Sequence, residues 1–128
     1  MSGAKCQTEG TMPDEISRRS FTALGGRQEN AGLLRRAGVR VVLIGNGSGD
    51  EESFNVRNLK YGAGVAVAYG MTWDDALRAM TLTPAEVLGV ADRIGSLQPG
   101  RDANVVVWSG DPFELSTRAE HVLIRGRD

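Results

Sequence analysis

The 128 residues contain one histidine and one cysteine, too few to build a conventional site for a borderline or soft metal. His121 cannot by itself form a histidine-rich metal centre, so any such centre would need ligands from another chain. Cys6 has no second thiol, which excludes an internal disulfide and any paired-cysteine metal motif. It is expected to be a free thiol in a loose tail. Long apolar runs are also missing. Nothing approaches the roughly 18 residues that would mark a membrane span. The opening stretch MSGAKCQTEGTMPDEISRR carries no apolar core resembling a signal peptide. A longer parent could carry its own leader, so a soluble chain is expected and its compartment stays open. Nor is there an excess of one charge. Fifteen Lys and Arg against sixteen Asp and Glu leave a formal charge of −1. That balance gives no electrostatic reason to expect nucleic acid or a membrane surface as a partner.

What is present is an ordinary globular composition, 41% hydrophobic and 24% charged, in a chain long enough to bury one core. Residues 1 to about 27 show little periodicity. They are expected to be irregular, with at most a short helical turn around Glu15 to Arg19. From about Gln28 to Ala37, Leu33 and Leu34 sit on one side and charges on the other, predicting a helix stopped by Gly38. Val39, Val41, Val42, Leu43 and Ile44 then form a short β-branched run, which predicts a buried strand of parallel type. A helix from about Val56 to Tyr69 follows. It is rich in Gly62, Ala63, Gly64, Ala66 and Ala68, and its internal glycines, each costing about 1 kcal/mol against alanine, call for close packing against a sheet.

Thr72 can cap the next helix, where Trp73, Ala76, Leu77 and Met80 recur with helical spacing. Thr83-Pro84-Ala85-Glu86 reads as a further start signal, with Thr83 as N-cap, proline in the first turn and Glu86 reaching back; Gly89 stops this helix. Pro99-Gly100 marks a turn. Ala103 to Trp108 and His121 to Ile124 are strand candidates, with a break at Asp111-Pro112. The order is helix, strand, three helices, then a small β region. A complete α/β barrel needs eight strands and about 250 residues, so this order suits the end of one, followed by a satellite sheet.

At this point longer words become recognisable. LTPAEVLGVADRIGSLQPGRDANVVVWSGDPFE, Leu82 to Glu114, closely resembles the C-terminal signature of imidazolonepropionase-like amidohydrolases. RNLKYGAGVAVAYGMTWDDALRAMT is similar to the last barrel helices of that group. AGLLRRAGVRVVLI looks like its penultimate helix and eighth strand. The resemblance extends over about Gln28 to Arg127. It implies an α/β fold made of the last strand and helices of an incomplete TIM-type barrel, residues 28–94, and the C-terminal strands of a small β-sandwich, residues 95–128. Residues 1–27 would be an irregular N-terminal segment. In the motif itself Gly95 and Gly100 permit tight turns, and Asp102 can bond nearby backbone amides.

The resemblance also implies chemistry. Complete members hold one or two divalent metals, often zinc, and attack a C–N or related bond with metal-bound hydroxide. Their ligands are a His-x-His pair, two later histidines, in some members a bridging lysine, and an aspartate ending strand eight. Here only the last position falls within the chain, and it corresponds to Asn46. The run Leu43-Ile44-Gly45-Asn46-Gly47 stands where the family usually shows a threonine- or serine-aspartate pair. An amide oxygen coordinates a hard metal weakly and cannot act as a carboxylate base. Asp50, four positions on, is the alternative, acting after a rearrangement of the loop. Arg57 and Asn58, at the start of the following helix, would lie where barrel loops meet substrate; contacts with residues 50–52 are the plainer role for them.

Three further features have plain readings. Gly45-x-Gly47-x-Gly49 superficially looks like a phosphate loop, but Asp50, Glu51 and Glu52 follow and no lysine does, so a turn is expected. His121 is read as a surface or packing residue of a strand, not a ligand. Trp73 and Trp108 are read as packing residues. The expected function is therefore that of the parent class, hydrolysis of amide, cyclic amide or peptide-like C–N bonds. This chain alone is expected to be inactive and to hold no metal or other cofactor. The alternative is a non-catalytic module that associates with itself or with a homologous amidohydrolase chain, since a stripped barrel strand exposes unpaired edges.

Overall fold

A computed structural model describes residues 15–17, 28–45 and 56–128. Helix α1 (Asn30–Arg36) leads into strand β2 (Arg40–Val42), which pairs in parallel with β1 (Glu15–Ser17). The register places Ile16 opposite Val41. A single 3-10 turn, Val56–Asn58, opens helix α2 (Leu59–Ala68); α3 (Trp73–Met80) and α4 (Leu82–Val87) follow. The chain ends in an antiparallel hairpin of β3 (Val105–Trp108) and β4 (Ala119–Leu123). Among the described residues no helix is long and apolar enough to cross a membrane.

The parallel pairing anticipated for the Val39–Ile44 run is present. The 15–19 region differs from expectation, being a strand at Glu15–Ser17 and not a helical turn. A three-residue strand is too short to carry a period of its own, and its hydrogen bonds come from a partner about 25 positions away, beyond local sequence patterns.

The second difference is the start of α4. Thr81, not Thr83, stands before the helix, which begins at Leu82 without a side-chain cap. Thr83 is buried inside its first turn at 5% exposure. Glu86 does not fold back on the helix start; its Oε1 accepts from Arg78 Nη2 at 2.6 Å. An ion pair to the preceding helix has replaced the reciprocal capping contact. Thr72 does cap α3 as expected, accepting from the Asp75 amide at 3.1 Å.

The core gathers around the strand. Val41 of β2 and Leu43 just beyond it meet Ala63 and Ala66 of α2, Met71, and Ala76 and Ala79 of α3. Leu43 N–H donates to Ala79 O at 2.9 Å, so the end of the strand is bonded directly to the end of a helix. Trp73 stands at the edge of this core, 38% exposed. Its ring packs on Phe113, with centroids 5.2 Å apart, and its Nε1–H donates to the Asp111 carboxylate at 3.1 Å. Asp111 also accepts from the Phe113 amide. The DPF turn is thereby fastened to the helices. Lys60 adds a second tie, donating to Thr117 O at 2.8 Å while its ammonium lies over the rings of Tyr61 and Trp108.

Two glycines show how tight the packing is. At Gly95 φ is +93°, and a Cβ would stand 2.8 Å from that of Ala85, so the turn needs both the conformation and the missing side chain. Gly32 lies in the middle of α1, where a Cβ would come within 2.8 Å of the Gly70 carbonyl carbon and oxygen. Alanine is the better helix former by about 1 kcal/mol, but backbone cannot move aside as a flexible side chain does. Gly32→Ala is expected to lower stability by about 1–3 kcal/mol net, seen as an earlier midpoint in urea unfolding. A midpoint at or above that of the parent chain would mean that α1 and the 70–71 turn are not in contact.

Candidate functional site

In a parallel α/β arrangement, chemistry gathers beyond the carboxyl ends of the strands. Here that end is reached at Leu43, Ile44 and Gly45, and the chain is described again from Val56. Asn46 and Asp50, the two candidates for the strand-eight carboxylate position, lie outside the described residues, as do Gly47 and Gly49. Arg57 and Asn58 are exposed in the 3-10 turn that opens α2, immediately after that connection. Asn58 provides no side-chain cap to α2.

His121 lies on β4 opposite Val107. Its side chain is 59% exposed, and Nδ1 is 3.1 Å from Asp128 Oδ2. Among the described residues no three His, Cys, Asp or Glu side chains converge in a way that could hold a metal ion. The donors described here therefore do not fit a divalent metal centre, and no chemical step can be derived through one from them.

The most organised polar cluster lies at the opposite, N-terminal end of β2, where sequence patterns gave no sign of it. A cleft of about 70 Å³ is lined by Arg35, Arg40, Val41, Asp75, Arg78, Thr83 and Glu86. Arg35 Nε donates to Asp75 Oδ1 at 2.7 Å, and the Arg78–Glu86 pair closes the other side. Arg35 comes from the last turn of α1 and Asp75 from the first turn of α3, each favoured there by its helix dipole. The pairing spans 40 positions, beyond any local sequence pattern.

Helices packed on a parallel strand pair, followed by an antiparallel hairpin, place the chain among mixed α/β proteins. Residues 19–127 match the amidohydrolase family, and the chain belongs to it. It is similar to amidohydrolase tasK of Hapsidospora irregularis, 32% identical over 77 residues, which are 60% of this chain and 8% of that protein. It is also similar to the imidazolonepropionase of Sphingopyxis alaskensis, 31% identical over 86 residues, 66% of this chain and 21% of the relative. Among solved structures, an amidohydrolase from Thermotoga maritima superposes with a TM-score of 0.69 at 37% identity, over 78% of this chain and 25% of that one. The chain thus spans a quarter or less of the length of these relatives.

The cleft makes stability depend on acid. Burial alone would raise the Asp75 pKa, but the hydrogen bonds from Arg35 and Thr72 and the charges of Arg35 and Arg78 outweigh it. The net result lies below the ordinary 3.8. A lowered folded-state pKa contributes stability that is complete above about 3.8 and fades as pH falls through the lower folded value. Asp75→Asn should accordingly be less stable than the parent at neutral pH, with the gap closing below pH 3.8. Urea midpoints of both proteins across that range measure it; a gap independent of pH would remove the ionised pair from the account.

Proposed function

We propose that this chain carries the closing part of an amidohydrolase barrel and the C-terminal strands of the small β-sandwich beside it. In this reading β2 is the eighth barrel strand, residues 28–94 the barrel part and residues 95–128 the satellite part. The observation that carries the reading is the family match over residues 19–127, joined to coverage of only 8–25% of the relatives. The parent activity would be hydrolysis of an amide, cyclic amide or peptide-like C–N bond. The family is generally metal-dependent, and zinc is the metal we favour for the complete protein. Within this chain, Asn46 takes the strand-eight carboxylate position, with Asp50 as its alternative, and Arg57 and Asn58 are placed to meet substrate.

The chain by itself is proposed to be inactive. It brings one histidine, which is exposed and engaged with Asp128, and an amide where the family uses a carboxylate base. Two measurements test this. The purified chain, exposed to zinc and desalted, should retain far less than one equivalent; one tightly held zinc per chain would overturn the proposal. Asn46→Asp should remain without metal-dependent amidase activity, because one carboxylate cannot replace absent histidines, and measurable turnover would show the site to be misplaced.

A second reading, association with another copy or with a homologous amidohydrolase chain, has its own support. Among the described residues β2 pairs with a strand on one side only. The two-stranded hairpin leaves Val106, Val107 and Val122 41–49% exposed, and isolated hairpins are marginal in water. Calorimetric unfolding should then shift to higher temperature as protein concentration rises. A transition independent of concentration would discard this reading in favour of a self-sufficient monomer.

A further inference from the structure

We propose that the outer edge of β3 pairs antiparallel with the same edge of a second copy of this chain, about a two-fold axis at Val106. This rests on the association reading above and names its surface. β3 is Val105-Val106-Val107-Trp108, with no charge and no proline, and among the described residues it pairs with β4 alone. In an antiparallel strand the amide and carbonyl groups of alternate residues point away from the partner. Among the described residues those outward groups of β3 meet no hydrogen-bond partner.

The two edges of the hairpin differ. β4 carries Glu120 and His121, and after Leu123 the chain turns back on itself. Ile124 and Arg127 exchange backbone hydrogen bonds, and Asp128 Oδ2 returns to 3.1 Å from His121 Nδ1. Charged side chains and a covering segment are what keep a sheet edge from pairing with another chain. β3 has neither, and Val106 and Val107 are 41% and 42% exposed.

The occupant follows from the sequence. Residues 1–14, 18–27 and 46–55 hold no run of three β-branched or aromatic residues, so none of them offers a strand of matching chemistry. β3 itself does. A two-fold axis normal to the sheet sets one residue against its own copy and pairs its neighbours reciprocally. With Val106 on the axis, Val105 stands opposite the partner's Val107, so all three valines meet valines. Trp108 then meets the partner's Asn104, and no like charges are opposed. The same operation on β4 about His121 would set the Glu120 carboxylate against the partner's Val122. Joining at β3 gives a sheet of four strands, enough to stand in water where one hairpin is marginal.

Crosslinking of the full chain tests the edge, with Cys6→Ser in the background so that introduced thiols report alone. Val106→Cys should form a disulfide-linked dimer on oxidation with glutathione disulfide, because the axis brings its two sulfurs together. Val122→Cys, exposed on β4, should stay largely uncrosslinked. In sedimentation equilibrium Val106→Lys should weaken the dimer by at least about tenfold, since two ammonium groups would meet at the axis. Glu120→Lys, on the other edge, should leave it unchanged. A far-UV dichroism spectrum matching the parent's identifies the folded variants. A parent chain that stays monomeric at every concentration would overturn the proposal and association with another copy together. A dimer that survives Val106→Lys, or that crosslinks through Val122→Cys and not through Val106→Cys, would overturn the β3 edge alone and leave association to another surface.

Discussion

Close approach of helices α2 and α3 to strand β2 is the constraint from which the rest of the structure follows. Ala63 and Ala76 are wholly buried, Ala66 and Ala79 nearly so, and together they face Val41 and Leu43. Alanine loses almost no side-chain entropy on burial. It also removes little apolar area from water, so each contact contributes less than a buried leucine would. Such a core holds only if backbones come near enough for many small contacts to form. The hydrogen bond from Leu43 to Ala79 O marks how near they come. Met71 joins that core, and Leu34, Leu59 and Phe113 close the periphery with larger side chains.

That proximity sets where charge can go. With small residues filling the middle of the layer, long side chains are displaced to its ends. At the N-terminal end of β2 they collect as the arginine–carboxylate cleft. Toward the hairpin, Lys60 reaches Thr117 and Trp108, and Trp73 reaches Asp111. The helical layer and the hairpin are therefore joined by amphipathic side chains with apolar bodies and polar tips, and by Phe113, which packs against the alanine-lined core.

How much of this could be read from the amino acids depended on the range of the forces involved. The strand after Gly38, the Thr72 cap and the stop at Gly89 rest on neighbours within a few positions, and they were legible. The Val56 helix was legible as well, apart from the tighter turn that opens it. Residues whose partners lie far along the chain were not. Glu86 has a sequence context that favours capping, yet a cation eight positions earlier holds it. Ile16 is placed in a strand by a partner 25 positions away. Trp73 has helical spacing with Ala76 and Met80, but its polar indole edge is drawn outward to Asp111. The family was legible because its words are local ones, caps and turns in a fixed order. The candidate positions Asn46 and Asp50 rest on that resemblance alone. The charged cleft belongs to no such word, being assembled from α1, β2, α3 and α4.

The seam between helices and hairpin has an optical consequence. The two tryptophans of the chain both belong to it, Trp73 against Phe113 and Trp108 beneath the Lys60 ammonium. Indole emission depends on local polarity and on nearby charge, so both reporters sense the same junction. Parting of the hairpin from the helices would alter the whole of the intrinsic fluorescence while leaving the alanine-lined layer intact. Loss of α1 would scarcely register. In this molecule tryptophan emission follows the joint between two parts and not the folding of either one.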